Sequence, residues 1–249
     1  MVSSIMTSPL KTAFLAAVLV LAAAVPSSSA QEDMAQRVVE LFTSQGCSSC
    51  PPADALVVDL SKRPGVIALT LPVDYWDYLG WKDTIAQPGF TARQRAYAHL
   101  RGDRQVYTPQ VVVNGTKPSV GSDKAAVERT VTEAATLPVL VVAKEQNGTV
   151  AIEISGAAEQ QAPAGVWVLP VRKTETVTIN RGENGGRTVT YANVVRGFVR
   201  IGEWRGGQAR FEVPLPTAQA DGDGYVVLLQ TAERTKPGVI LGAAKSAGL

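Results

Sequence analysis

Short apolar runs bounded by polar or chain-breaking residues begin at residue 38, and their spacing changes near residue 137. Val38-Val39-Glu40-Leu41-Phe42 reads as a buried strand, and Val66 to Leu71 as a second. Between them Ala55, Leu56, Val58 and Leu60 fall at helical spacing. Pro51 and Pro52 fit the first turn of that helix, where no intrahelical N–H bond is lost. The helix is expected to start within Cys47-Ser48-Ser49-Cys50 and to run to about Lys62, with Cys47 at or just before its N-terminus. A helix between two buried strands implies a parallel α/β arrangement. Asp74 to Trp81 packs four aromatics into a stretch without period and reads as a structured insertion. Thr91 to Leu100 reads as a helix, and Val106 to Val113 as a strand entered through Pro109 and left through Asn114-Gly115, a hairpin dipeptide. A partner strand at Lys117 to Val120 and a helix from Ser122, as N-cap, to Ala135 complete this half.

Beyond Leu137-Pro138 the runs are all of β type: 140–143, 150–154, 166–171, 176–179, 188–195, 198–201, 209–213, 225–229 and 239–241. Asn147-Gly148, Asn184-Gly185-Gly186, Gly206-Gly207 and Asp223-Gly224 punctuate them. Closely spaced strands without helical patterns imply an antiparallel sandwich or partial barrel. The expected architecture is thus an α/β domain over residues 36–136 followed by an all-β domain over 138–249.

The first thirty residues change the picture of where the chain works. Lys11, an unbroken apolar run from Ala13 to Val25, and Ser28-Ser29-Ala30 form a signal-peptide pattern with cleavage after Ala30. The run is too short for the roughly 20 residues of a membrane span, so a periplasmic or secreted protein with no span after cleavage is expected. Of 24 Lys and Arg, only Lys11 lies in this segment, against 22 Asp and Glu overall, so the remaining chain is close to neutral. Near-neutrality without a charged tail or stripe argues against nucleic acid as a partner.

The chain has two cysteines, Cys47 and Cys50. A bond between residues three apart closes almost no loop and contributes little chain-entropy stabilisation, which favours reactivity over stapling. A thiolate near a helix N-terminus is stabilised by the dipole and by free N–H groups. Cys47 is therefore the candidate nucleophile, and Cys50 the residue that resolves a mixed disulfide. Glu40, on the first strand, is a candidate proton relay; the alternative is a solvated or paired strand-end acid. Asp54 reads as a first-turn acid favourable to the dipole. His99 is the one histidine, on a polar helix face. Cu(I) handling by the two thiolates and a binding module without turnover remain as alternatives. Zinc is disfavoured because no second Cys pair or His cluster supplies four ligands, and no resident metal or cofactor is expected.

The order of strand, C-x-x-C at a helix start, strand, helix, then Thr108-Pro109 leading into a strand and an Asn-Gly hairpin resembles the thioredoxin and glutaredoxin superfamily. The resemblance implies a cis Pro109 lying against the cysteine pair, with Thr108 and Pro109 forming the shelf on which a substrate backbone docks. It also implies protein or peptide thiols and disulfides, and a redox partner protein, as partners. Val39 to Asp54, Val73 to Asp83 and Tyr107-Thr108-Pro109-Gln110 are similar, more closely, to a bacterial family of secreted proteins of unknown function that joins a thioredoxin-like domain to a C-terminal β domain. That family commonly has His before the Val-Asp-Tyr-Trp-Asp run, where this chain has Pro72.

Overall fold

The structure, a computed structural model, describes residues 1–2, 36–157, 162–233 and 236–249. The signal peptide expected at residues 1–30 lies outside the described residues, Met1 and Val2 aside. Strands β1 (Arg37–Thr43) and β2 (Val66–Pro72) run parallel, connected by helix α1 (Pro51–Leu60). Helix α2 (Pro88–Arg101) leads to β3 (Gln110–Val113), which pairs antiparallel with β1. Asn114 and Gly115, both at positive φ, turn the chain into β4 (Lys117–Val120). The N-cap of α3 (Lys124–Glu133) is Asp123 rather than Ser122: the Asp123 carboxylate accepts the Ala126 N–H at 2.9 Å.

The second half contributes β5 (Leu140–Gln146), β6 (Thr149–Ser155), β7 (Ala164–Thr178), β8 (Thr188–Val195), β9 (Val199–Trp204), β10 (Gln208–Pro214), the short helix α4 (Leu215–Gln219), β11 (Gly224–Glu233) and β12 (Lys236–Lys245). The runs expected separately at 166–171 and 176–179 are one long strand, β7.

These strands do not form a separate all-β domain behind an α/β thioredoxin-like one, and that expectation is overturned. The described residues are mostly strand, with few helices, and a single 9-stranded mixed sheet runs β12-β11-β7-β8-β2-β1-β3-β4, with β9 paired to β7. The remaining β10-β6-β5 make a second, 3-stranded sheet. The halves meet where β8 lies parallel to β2, Thr70 in register with Val194. Side chains reinforce that seam: the Thr70 hydroxyl donates to the Ala192 carbonyl at 2.6 Å, and the Asn193 amide to the Ala68 carbonyl at 2.9 Å. Flanked by β1 and β8, β2 is buried along its whole length, which is why it reads as a continuous apolar run.

Strand alternation divides the core accordingly. Val38, Phe42, Ile67 and Leu69 share one face with Leu169, Val171, Val226, Leu228 and Ile240, so a single apolar cluster beneath α2 draws on both halves. On the other face Val39, Leu41 and Ala68 pack against α1 and α3. Farther along, Val166, Val168, Val227 and Leu229 pack against the second sheet through Val141, Val150, Ile152 and Ile154. No helix among the described residues is long and apolar enough to cross a membrane.

Candidate redox site

Cys47 and Cys50 are joined by a disulfide, with Cα atoms 5.4 Å apart. The loop from Ser44 to Cys47 leaves the end of β1, and Cys50 is the N-cap of α1, so the pair precedes the helix instead of lying within it. The cause is local. Pro51 and Pro52 fix the first turn and carry no N–H, while the Ala53 and Asp54 N–H groups both donate to the Cys50 carbonyl at 2.8 and 3.1 Å. The first turn therefore offers the sulfurs no free N–H, and what remains is the helix dipole together with the Ser49 hydroxyl, 3.5 Å from Cys47 Sγ. Cys47 retains 3% exposure and Cys50 none, whereas Ser48 and Ser49 are exposed. Any attack from outside must therefore come at Cys47.

The aromatic insertion packs on this loop. A Cβ on Gly46 would lie 3.0 Å from the Trp76 Cβ, so a larger residue before Cys47 would press Trp76 outward by a few tenths of an ångström. The Trp76 indole donates to the Thr108 hydroxyl at 2.7 Å, tying the cysteine loop to Thr108-Pro109, whose peptide bond is cis. Pro109 is buried, and Gly121 fits between its ring and Ala53 in the first turn of α1. Gln45 anchors the far side of the insertion: its side-chain oxygen accepts from the Trp81 indole at 2.7 Å, and its N–H donates to Asp83 at 2.8 Å. Tyr78, stacked on Trp76, stands 76% exposed beside these residues.

The second half closes the site. Asn184, buried in the turn between β7 and β8, donates its amide to the Gln45 carbonyl at 3.0 Å and to the Cys47 carbonyl at 2.8 Å. Asn184→Ala removes both donors and leaves the buried Gln45 carbonyl without its partner, while the Cys47 carbonyl keeps only the Cys50 N–H at 3.2 Å. The oxidised protein is expected to lose about 1–3 kcal/mol of stability, read from denaturant unfolding; unchanged stability would contradict this role.

Asp54 lies one turn beyond Cys50, buried, and accepts the Thr43 hydroxyl at 2.7 Å. Burial pushes its carboxyl up to about 7, opposed by the Thr43 hydrogen bond and reinforced by the charge of Asp83. Burial also raises Asp83, against the N–H groups it accepts from Gln45, Ile85 and Ala86. Tyr191 on β8 has its phenol raised well above the ordinary value, first by burial and then by the charges of Asp54 and Asp83. Among the described residues no group of three or more His, Cys, Asp or Glu side chains is placed to hold a metal ion.

Residues 38–230 match a protein family described as a protein of unknown function, DUF1223. The chain belongs to this family. Protein AGR_C_4864 from Agrobacterium tumefaciens, of known crystal structure, is 34% identical, with a TM-score of 0.75 over 87% of this chain and 96% of that one. HBP35 of Porphyromonas gingivalis shares the fold at 13% identity, with a TM-score of 0.55 over 86% of this chain and 75% of that one. No curated protein matches the sequence.

In this DUF1223 member Trp76 links the residue before Cys47 to Thr108, and Gly121 links Pro109 to Ala53 in the first turn after Cys50. The structure does not bring Glu40 to the cysteines. Glu40 alternates with Val39 and Leu41, which face α1, so it points to the α2 face, where its carboxylate binds Arg93 at 2.6 Å and the Tyr97 hydroxyl at 2.6 Å. Asp54, read from sequence as a dipole acid, is the buried acid on the cysteine side. Pro72 stands in register with Thr43, whose hydroxyl donates to Asp54. Asn184, Tyr191 and Asp83 were not singled out by sequence reasoning.

Proposed function

We propose that the chain carries out thiol–disulfide exchange on protein or peptide substrates through Cys47 and Cys50. The observation that carries this reading is a graded disulfide, Cys47 at the surface side and Cys50 fully buried at the N-cap of α1, on a loop that Trp76 links to Thr108. In the reductive direction the Cys47 thiolate attacks one sulfur of a substrate disulfide, forming a mixed disulfide and releasing the other substrate sulfur as a thiolate. The Cys50 thiolate then attacks Cys47 Sγ, restoring the Cys47–Cys50 bond and releasing the second substrate thiolate. The Cys50 proton needs an acceptor, and Asp54, buried one turn away and titrating near neutrality, is the group assigned to that task. An extracytoplasmic location belongs to the same reading, since a labile disulfide is maintained in oxidising compartments.

The slight exposure of Cys47 favours a second reading, a binding module that keeps the pair oxidised without turnover. One assay separates them. Reduced protein is mixed with a disulfide-linked peptide, and released peptide thiol is followed with time. Exchange predicts loss of the signal in Cys47→Ala; a rate in wild type equal to that of Cys47→Ala would leave only the binding reading.

A further inference from the structure

We infer that the cleft between α2 and the sheet, on the face away from α1, is a binding site for an amphipathic carboxylate, one anionic head on an apolar tail or ring. The cleft encloses about 760 Å3, within the range of small-molecule sites. Ala96 on α2, Trp167 on β7 and Phe198 between β8 and β9 give it an apolar floor. Its deepest charge, Arg93, is already neutralised: the guanidinium binds Glu40 at 2.6 Å, the Tyr97 hydroxyl at 2.7 Å and the Gln230 side-chain oxygen at 2.9 Å, and packs over Phe198. The floor therefore offers no net charge and suits hydrocarbon.

The rim differs. Arg95, His99 and Lys236 line the cleft, and no Asp or Glu does so among the described residues. Arg95 and His99 are exposed and form no ion pair among the described residues, whereas Lys236 stands in register with Glu233 on β11. An apolar floor below the Arg95 guanidinium and the further donors of His99 and Lys236 is complementary to a ligand whose hydrocarbon enters first and whose carboxylate stays at the mouth. Neither a neutral nor a cationic amphiphile uses both parts. This assignment does not rest on the thiol chemistry, because the cleft faces α2, opposite the α1 side on which the cysteines lie.

The test uses the full chain and isothermal titration with decanoate, with decanol as the uncharged control. The expected result is saturable one-to-one binding of decanoate, about tenfold or more tighter than decanol. Ala96→Trp, which fills the floor, should weaken decanoate about tenfold or more; its fold is checked by thermal unfolding. Arg95 is exposed, so Arg95→Gln combined with Lys236→Gln should leave the fold intact and bring decanoate close to decanol. Cys47→Ala should bind decanoate as wild type does, which separates failure of this inference from failure of the exchange reading. Absence of saturable decanoate binding to wild type, or equal affinity for decanoate and decanol, overturns the assignment.

Discussion

Cys50→Ala protein, reduced and mixed with a disulfide-linked peptide, is expected to accumulate a covalent adduct at Cys47 that wild type does not retain. With Cys50 absent, nothing inside the protein can attack Cys47 Sγ, so the mixed disulfide can be released only by an outside thiol. Non-reducing electrophoresis and intact mass should show the adduct, and Cys47→Ala should show none. The asymmetry follows from exposure: Cys47 is the sulfur a substrate can reach, and Cys50 is closed off at the N-cap of α1. Equal adduct yields from both variants would contradict the assigned roles.

The second large effect concerns Asp54 and pH. Its carboxyl titrates at about 7 in the folded protein, against about 3.9 in an unfolded chain. A raised carboxyl pKa means that the folded state binds the proton more tightly, so the contribution of Asp54 to stability is fully present below about pH 4 and is lost as pH rises through about 7. The slope approaches roughly 1.4 kcal/mol per pH unit across that window. Asp54→Asn keeps an oxygen to accept the Thr43 hydroxyl but cannot ionise. It should remove most of this slope and stabilise the protein by roughly 4 kcal/mol at pH 8, measured by denaturant unfolding from pH 4 to 8. The same variant should slow peptide reduction near neutral pH, where Asp54 is assigned as proton acceptor. An unchanged pH profile of stability would show that burial does not raise the Asp54 carboxyl.

Much of the first half was legible because its signals are local. Pro51-Pro52 marks a helix start, Asn114-Gly115 marks a hairpin, and the apolar runs of β1 and β2 mark buried strands, all within a few residues. The strands of the second half were also visible one by one. Their partners were not: nothing in the pattern of Thr188 to Val195 says that it lies beside β2, and Thr70 and Val194 meet across more than a hundred residues. That single long-range pairing turns two expected domains into one continuous sheet. For the same reason Asn184 read as turn punctuation, although its amide closes the cysteine loop from 137 positions away. Glu40 reads as the relay candidate from its place on the first strand and Asp54 as a dipole acid from its place in the first turn, and neither reading fixes the face. The Glu40 neighbours Val39 and Leu41 are both apolar, so alternation alone could not say which face held α1, and only the packed sheet decides it.

The most direct measurement of the central claim is the equilibrium of the Cys47–Cys50 couple in glutathione redox buffers at pH 7, with oxidation state read by thiol alkylation and mass. An exchange centre should move between oxidised and reduced forms while the protein stays folded, with a reduction potential above about −300 mV, where the known catalytic couples lie. A disulfide that stays oxidised in the most reducing glutathione buffer, or whose reduction unfolds the chain, would contradict the account and mark the bond as structural.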